Sequence, residues 1–530
     1  MKLPLRLLAF TLAAAVFAAA QDKADLSAIY KIKQEAIQNS KVMDHLFWLT
    51  DVIGPRVAGS PAYKSAADWA VKTLKEWGLD NAHLESFKFG RPWTNQRFSA
   101  HLIEPSYQPL YGFPLAWSQS TDGAVIGEPV YAPIRTEEDL AKWKDKLKGK
   151  IVFSEALRET ELADKAQSSR YTAEELVEME MAPEPGQRGF MVGPVRAGQG
   201  PAQDPAQMRA QMMQARALRQ KAASFFREEG VAVVVSFGGR TDGGTVMADR
   251  GGPFDPKQPM PPAMIAITPE HYNRIVRLLE HKLPVKMEVD VKNQTSDEEA
   301  DTFNVIADLP GSGPHKDEIV MIGGHLDSWQ GSTGATDNGA GSAVMLEVIR
   351  VLKTLNLKLD RTVRIGLWAG EEEGLLGSRE YVKKTFADPA KMETTPAWEN
   401  LAAYYNVDNG GGKIRGVYLQ GNEMARPFFE AALAPFKDMG VSTITIRNTG
   451  GTDHQSFDAV GLSGFQFIQD PLEYMTRTHH SNMDNYDRVR RGDMMQMAVV
   501  VSSIVVQTAN REEMLPRKPK PAPRVGGPMF

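Results

Sequence analysis

Apolar and polar positions alternate most regularly from about residue 300 onward. Strand-like apolar runs fall at 302–309, 319–322, 363–368, 402–407, 417–419 and 464–468, with helical runs between them. In 342–355, Val344, Leu346, Val348, Ile349, Val351, Leu352 and Leu355 recur at the spacing of a largely buried helix, and 493–508 is apolar on most faces. This βα alternation predicts an α/β fold, a mostly parallel twisted sheet with helices on both faces.

Upstream the pattern is less even. Residues 40–80 read as helical: Ser60 caps, Pro61 opens, and Ala66, Trp69, Ala70, Leu74 and Trp77 recur before Gly78 stops the run. The glycine-rich stretch 54–60 before it reads as a loop. From 115 to 297, short strands at 125–131, 149–153 and 231–237 alternate with helical segments. Within that region, 155–222 is rich in Met, Gln, Ala, Pro and Gly, with an amphipathic helix expected at 207–229 and a surface loop at 183–205. Its methionines read as packing rather than a cofactor box. No catalytic constellation occurs there, so 115–297 is expected to be an inserted accessory α/β domain. The glycosylation pattern at Asn293-Gln-Thr295 is too short to carry weight.

The chain is then expected to divide into a leader (1–20), an N-terminal part of the main domain (21–114), the insertion (115–297), the catalytic region (298–512) and a disordered Pro- and Lys/Arg-rich tail (513–530). The leader has a basic start, an apolar core and Ala18-Ala-Ala20. It reads as a secretory signal peptide cleaved after Ala20, which implies a secreted or periplasmic protein. No other segment reads as long and apolar enough to span a bilayer. A net charge of -5 over 530 residues points to neither nucleic acid nor an acidic membrane surface. The absence of cysteine removes disulfides, thiolate ligands and a cysteine nucleophile. Any metal must sit on His, Asp and Glu, a donor set that suits zinc or a similar divalent ion.

Candidate chemistry clusters after the strands. The 319–322 run leads into a glycine-rich loop holding His325, Asp327 and Asp337. Glu371-Glu372-Glu373 closes another strand, Asp408 follows a third, and His479-His480 lies beyond the one at 464–468. In open α/β sheets ligands bind outside the carboxyl ends of the strands. Four such deliveries at one edge indicate a metal site.

Gly324-His-Leu-Asp-Ser, Ala335-Thr-Asp-Asn-Gly-Ala-Gly, Glu371-Glu-Glu-Gly-Leu-Leu-Gly-Ser and His480-Ser-Asn-Met-Asp together resemble the co-catalytic zinc exopeptidases. That family includes leucyl aminopeptidases, carboxypeptidase Q and glutamate carboxypeptidase II. The likeness covers 300–510, 54–60 with its following helix also fits, and the insertion resembles a protease-associated domain. The resemblance implies two zinc ions per chain: His325 and Asp408 on one, Glu372 and His480 on the other, Asp337 bridging both. It implies Glu371 as general base for a metal-bridged hydroxide, and a peptide or dipeptide as substrate. Asp327 would orient the His325 imidazole. The family pattern leaves Glu373 as a free, solvated position, and counting back from Asp484 selects His480 over His479. His479 stands where glutamate carboxypeptidase II has a tyrosine and is expected to donate to the oxyanion. Either Asp453 or His454, in a loop resembling one that borders the family's pocket, could contact substrate or simply hold the loop. The alternatives are a single-zinc acyltransferase like the glutaminyl cyclases and a non-catalytic binding relative. A homodimer is also compatible with the sequence.

Overall fold

Eight strands form one twisted sheet in the computed structural model, which describes residues 24–160, 164–181, 205–239, 243–247 and 250–523. Across the sheet the order is Asp80–Gly90, Ala300–Leu309, Thr362–Trp368, Ile319–His325, Leu401–Asn406, Gly464–Gln469, Ile414–Tyr418 and Thr443–Thr445. The middle four run parallel, so their carboxyl ends share one edge. Their neighbours Ala300–Leu309 and Ile414–Tyr418 run antiparallel to them. Leu401–Asn406 and Gly464–Gln469 are buried throughout, as strands covered on both faces must be.

Helices Leu26–Gln38, Ala340–Leu355 and Arg491–Ala509 share the core of one face. Contrary to expectation, Arg491–Ala509 is long and apolar enough by composition to cross a membrane, but most of it is buried inside the protein. It is apolar all round because it is a core helix. The other face is covered by Leu376–Thr385 and His454–Asp458 around Trp368, Tyr404 and Phe457. Near the site, Pro61–Glu76 begins as expected, with the Tyr63 amide donating to Ser60 Oγ at 3.1 Å.

One buried ionic group ties three helices together. Glu347 on Ala340–Leu355 lies 3.3 Å from His45 Nε2 and 2.8 Å from Arg350 Nε, and Arg350 also reaches Glu35 at 2.7 Å. Burial alone would raise the Glu347 carboxyl, but His45 and Arg350 outweigh it and hold it down to about 2. A depressed carboxylate stabilises the fold fully above its unfolded value, near 4.3, and loses that contribution as pH falls through the folded value. Between pH 5 and 2, urea unfolding of the native chain should therefore lose about 3 kcal/mol more than that of Glu347→Gln, since each tenfold change in proton affinity on folding is worth roughly 1.4 kcal/mol. Equal losses would refute this role.

The inserted region contains two further sheets. One is ordered Gln108–Pro109, Trp93–Glu104, Lys286–Thr295, Val125–Gly127; the other Gly112–Pro114, Ala263–Ile267, Val233–Ser236, Ile151–Phe153, Pro129–Tyr131. Strands from 93 onward thus already pair with the insertion, ahead of the expected start at 115, because Trp93–Glu104 finds its partner in Lys286–Thr295. The expected 125–131 strand splits between the two sheets. Helix Pro205–Glu228 corresponds to the one expected at 207–229. Asn293 spends its side-chain amide on the carbonyls of Ser118 and Gln119. The leader, and the loop expected at 183–205 up to residue 204, lie outside the described residues.

Over 513–523 the expected disordered tail is corrected. Leu515 is buried, and the Pro516 carbonyl accepts from Asn422 and Ser463. Arg517 donates to the Leu401 carbonyl and stacks over Trp398. A Pro-rich segment offers few amides of its own, but its carbonyls and basic side chains find partners on the domain.

Candidate active site

The four parallel strands deliver their chemistry side by side. His325 is the last residue of Ile319–His325, in register with Trp368 of the adjacent strand. The strand continues past the expected 322 because Gly323 and Gly324 pass beneath bulky neighbours. A Cβ on Gly323 would meet the Gly366 carbonyl at 2.5 Å and the Tyr404 hydroxyl at 2.7 Å. Glycine is a poor strand former in isolation, but close packing demands it here.

All five candidate ligands and Glu371 come together. His325 Nε2 lies 3.3 Å from Asp337 Oδ1, 3.4 Å from Asp408 Oδ1 and 4.0 Å from Glu371 Oε2. His480 Nε2 lies 3.0 Å from Glu372 Oε2 and 3.4 Å from Asp337 Oδ2. The two oxygens of Asp337 thus face two different clusters. His325 Nε2, Asp337 Oδ2, Glu372 Oε1 and Asp408 Oδ1 are buried without a hydrogen-bonding partner. Buried polar atoms are nearly always satisfied, so four orphans converging on one spot fit bound cations. Imidazole nitrogen and carboxylate oxygen at these separations are donors zinc accepts.

The electrostatics point the same way. Burial pushes the Glu371 carboxyl well above its ordinary range and Glu372 up to about 7. Burial would also raise Asp337, but His325, His479 and His480 outweigh it and hold it low. Burial would lower the His325 imidazole, but Asp408 and Glu371 reverse that and raise it. Crowded carboxylates of this kind are relieved by positive charge.

A scaffold fixes each ligand. The expected role of Asp327 is only partly met. Its backbone carbonyl, rather than its carboxylate, is the nearer partner of His325 Nδ1, at 3.1 against 3.6 Å. The carboxylate instead accepts the amides of Glu371 and Glu372, both at 3.3 Å, and so aims the glutamate turn. Asn338 donates to the Val407 carbonyl and accepts from the Gly341 amide, tying the Asp337 loop to that of Asp408. Asp484 accepts the Thr336 and Asp337 amides at 2.6 and 3.0 Å. Beneath lies a satisfied network in which Trp368 donates to Tyr404, Tyr404 to Asn406, and Asn406 to Gln466. Gln466 in turn donates to the Asp408 carbonyl.

Two other expectations change. Glu373 is not a solvated surface charge: its Oε2 is buried, and burial raises its carboxyl well above the ordinary range. The Glu371–Gly374 turn folds it back over Gly370. Asp453 and His454 are both fully buried; His454 Nε2 sits 3.1 Å from the Thr449 carbonyl and so holds the loop, while both Asp453 carboxylate oxygens are buried without a hydrogen-bonding partner.

Arg56 and Tyr474 escaped the sequence reading. Arg56, in the loop read as punctuation, is fully buried and donates to the carbonyls of Leu49, Leu326, Thr333 and Gly334 around the His325 loop. A lone arginine between glycines carries no periodic signal. Tyr474 sets its ring edge on His479 at 5.0 Å, and its hydroxyl is raised by burial and then by Asp337, Asp408, Glu372 and Glu371. His479 stacks on His480 at 3.7 Å, with its Nε2 3.9 Å from Asp337.

A parallel sheet with His and carboxylate clusters at its strand ends is an arrangement that suits a metallo-exopeptidase. Residues 304–505 match the model of Peptidase family M28. Over 477 residues, 89% of this chain and 86% of the relative, the sequence is 25% identical to carboxypeptidase Q of Bos taurus. Aminopeptidase YwaD of Bacillus subtilis is 28% identical over 213 residues, 38% of this chain and 43% of that protein. The fold is shared with a Peptidase M28 precursor from Shewanella amazonensis, at TM-score 0.65 and 24% identity, covering 94% of this chain and 98% of that one. It is also shared with a zinc aminopeptidase from Bacillus subtilis, at TM-score 0.55 and 18% identity, covering 89% and 95%.

Proposed function

We propose that this chain is a secreted or periplasmic zinc exopeptidase acting on peptides or dipeptides, with two metal ions per chain. The supporting observation is the orientation of Asp337, with Oδ1 3.3 Å from His325, which also meets Asp408, and Oδ2 3.4 Å from His480, which also meets Glu372. In this reading His325 and Asp408 hold one ion, Glu372 and His480 the second, and Asp337 both. Zinc would polarise the scissile carbonyl and acidify an attacking water.

The chain's own residues do the rest. Glu371 Oε2, facing the His325 cluster, accepts a proton from the attacking water and passes it to the leaving amine. Its burial raises proton affinity, which suits a shuttling base. Asp327 holds the Glu371–Glu372 turn through both amides. In this reading His479, with Tyr474 packed against its ring, donates to the developing oxyanion.

The test is mass-spectrometric analysis of dipeptides and longer peptides, with free and blocked termini, incubated with zinc-loaded protein. Release of single terminal units is expected, and the blocked series identifies which end is recognised; no cleavage would overturn the reading. Replacing His479 with Ala should lower turnover about 10²-fold, the scale of losing one oxyanion donor, with zinc still near two per chain by metal analysis. Lost zinc would make His479 a ligand instead.

A further inference from the structure

Residues 470–493 form a single excursion from the catalytic sheet. It leaves at Asp470, directly after Gly464–Gln469, and returns at Asp493 in the first turn of Arg491–Ala509. It carries His479, His480 and Asp484, and with them the imidazole of one half of the site.

Both ends of this excursion are tied by one side chain from the inserted region. Arg170 donates from Nη1 to Asp470 Oδ2 and from Nη2 to Asp493 Oδ2, each at 2.7 Å. The two carboxylates are almost wholly buried, with side chains 0% and 4% exposed. Asp470 has a second cation, Arg415, at 3.0 Å. Asp493 has no second basic side chain within 4.0 Å among the described residues. The chain around Arg170 also follows the excursion. The Tyr171 amide donates to Asp470 Oδ1 at 3.1 Å, the Ser169 amide to the Leu472 carbonyl at 3.1 Å, and Thr476 Oγ1 to the Gln167 carbonyl at 2.7 Å. The helix that comes next, Ala173–Glu180, is anchored to the edge strand Thr443–Thr445 by a hydrogen bond from Thr445 to the Met179 carbonyl. Arg170 is therefore held from both sides in the chain.

We propose that Arg170 is a positioning residue for the His480 half of the metal site. By joining Asp470 to Asp493 it closes the base of the excursion and fixes how far His480 stands from Glu372. Without it, Asp493 becomes an unpaired buried carboxylate beside another, a strongly unfavourable arrangement that relaxes by spreading the two ends apart. His325 and Asp408 stand on other strand ends with their own supports: the Asp327 carbonyl and Ser342 hold His325, and Asn338 and Gln466 hold the Val407 and Asp408 carbonyls. The inference rests on the two-metal reading above. It gives the insertion a direct part in metal binding.

The test is zinc binding by metal-free native protein and Arg170→Met, measured by competition with a chromophoric chelator. In Arg170→Met one site should keep native affinity while the other weakens about 10–100-fold, the usual effect of removing a group that supports a ligand. Hydrogen exchange in the metal-free variant should rise over 472–484 and stay unchanged over 319–325. Adding Asp493→Asn, which removes the stranded charge, should recover part of the lost affinity. Arg170→Lys, which keeps the charge but not the two-pronged reach, should fall between. Two sites of native affinity in Arg170→Met would overturn the clamp, and so would equal weakening of both sites. Native protein that binds fewer than two zinc ions would instead refute the two-metal reading.

Discussion

Asp337→Ala is expected to leave less than about one zinc per chain after dialysis against buffered zinc, with peptidase activity lost alongside it. The two oxygens of this carboxylate stand 3.3 Å from His325 Nε2 and 3.4 Å from His480 Nε2, so it serves both clusters at once. Two divalent ions roughly 3.5–4 Å apart repel strongly unless an anion lies between them. On the two-metal reading, alanine removes that anion together with a ligand from each ion. His325→Ala takes one ligand from one cluster and should chiefly empty that position, leaving a chain with about one zinc. Metal analysis of the two variants side by side decides the matter. Equal loss in both, or full zinc retention in Asp337→Ala, would remove Asp337 from the bridging role.

Glu371→Gln is the second large effect. Turnover should fall by about 10²–10⁴, the contribution of a positioned general base, while zinc content stays native. Glutamine keeps the volume and much of the hydrogen bonding but cannot take a proton. The neighbouring Glu372 does not substitute in this reading, because its Oε2 is committed to His480 at 3.0 Å. A Glu371→Gln protein that loses zinc would show that the base and ligand registers are exchanged. One that keeps native turnover would place the base elsewhere.

Much of this is legible in the chain before it folds. The central strands announce themselves because burial on both faces requires continuous apolar runs, and Leu401–Asn406 and Gly464–Gln469 are of that kind. The candidate ligands stand out because each follows such a run, and parallel strands must end on one edge. Other features have no local signature. Asp80–Gly90 pairs with Ala300–Leu309 across two hundred residues, and its burial is too irregular for a clean alternation. Glu373 looks like any charge in an acidic run, and its burial comes from the turn that folds it inward. Arg56 and Arg170 act through partners that only the folded chain brings near.

The sequence by itself determined the class of the sheet, the motifs and the residue types able to bind metal, because these follow from local periodicity and from side-chain chemistry. Tertiary structure alone decided which oxygen of Asp337 faces which histidine, that Asp327 holds the glutamate turn more than the imidazole, and that an insertion arginine closes the base of the His480 loop. Each of these depends on distances between segments far apart in the chain. Such distances are fixed by packing, and packing has no period that can be read along a sequence.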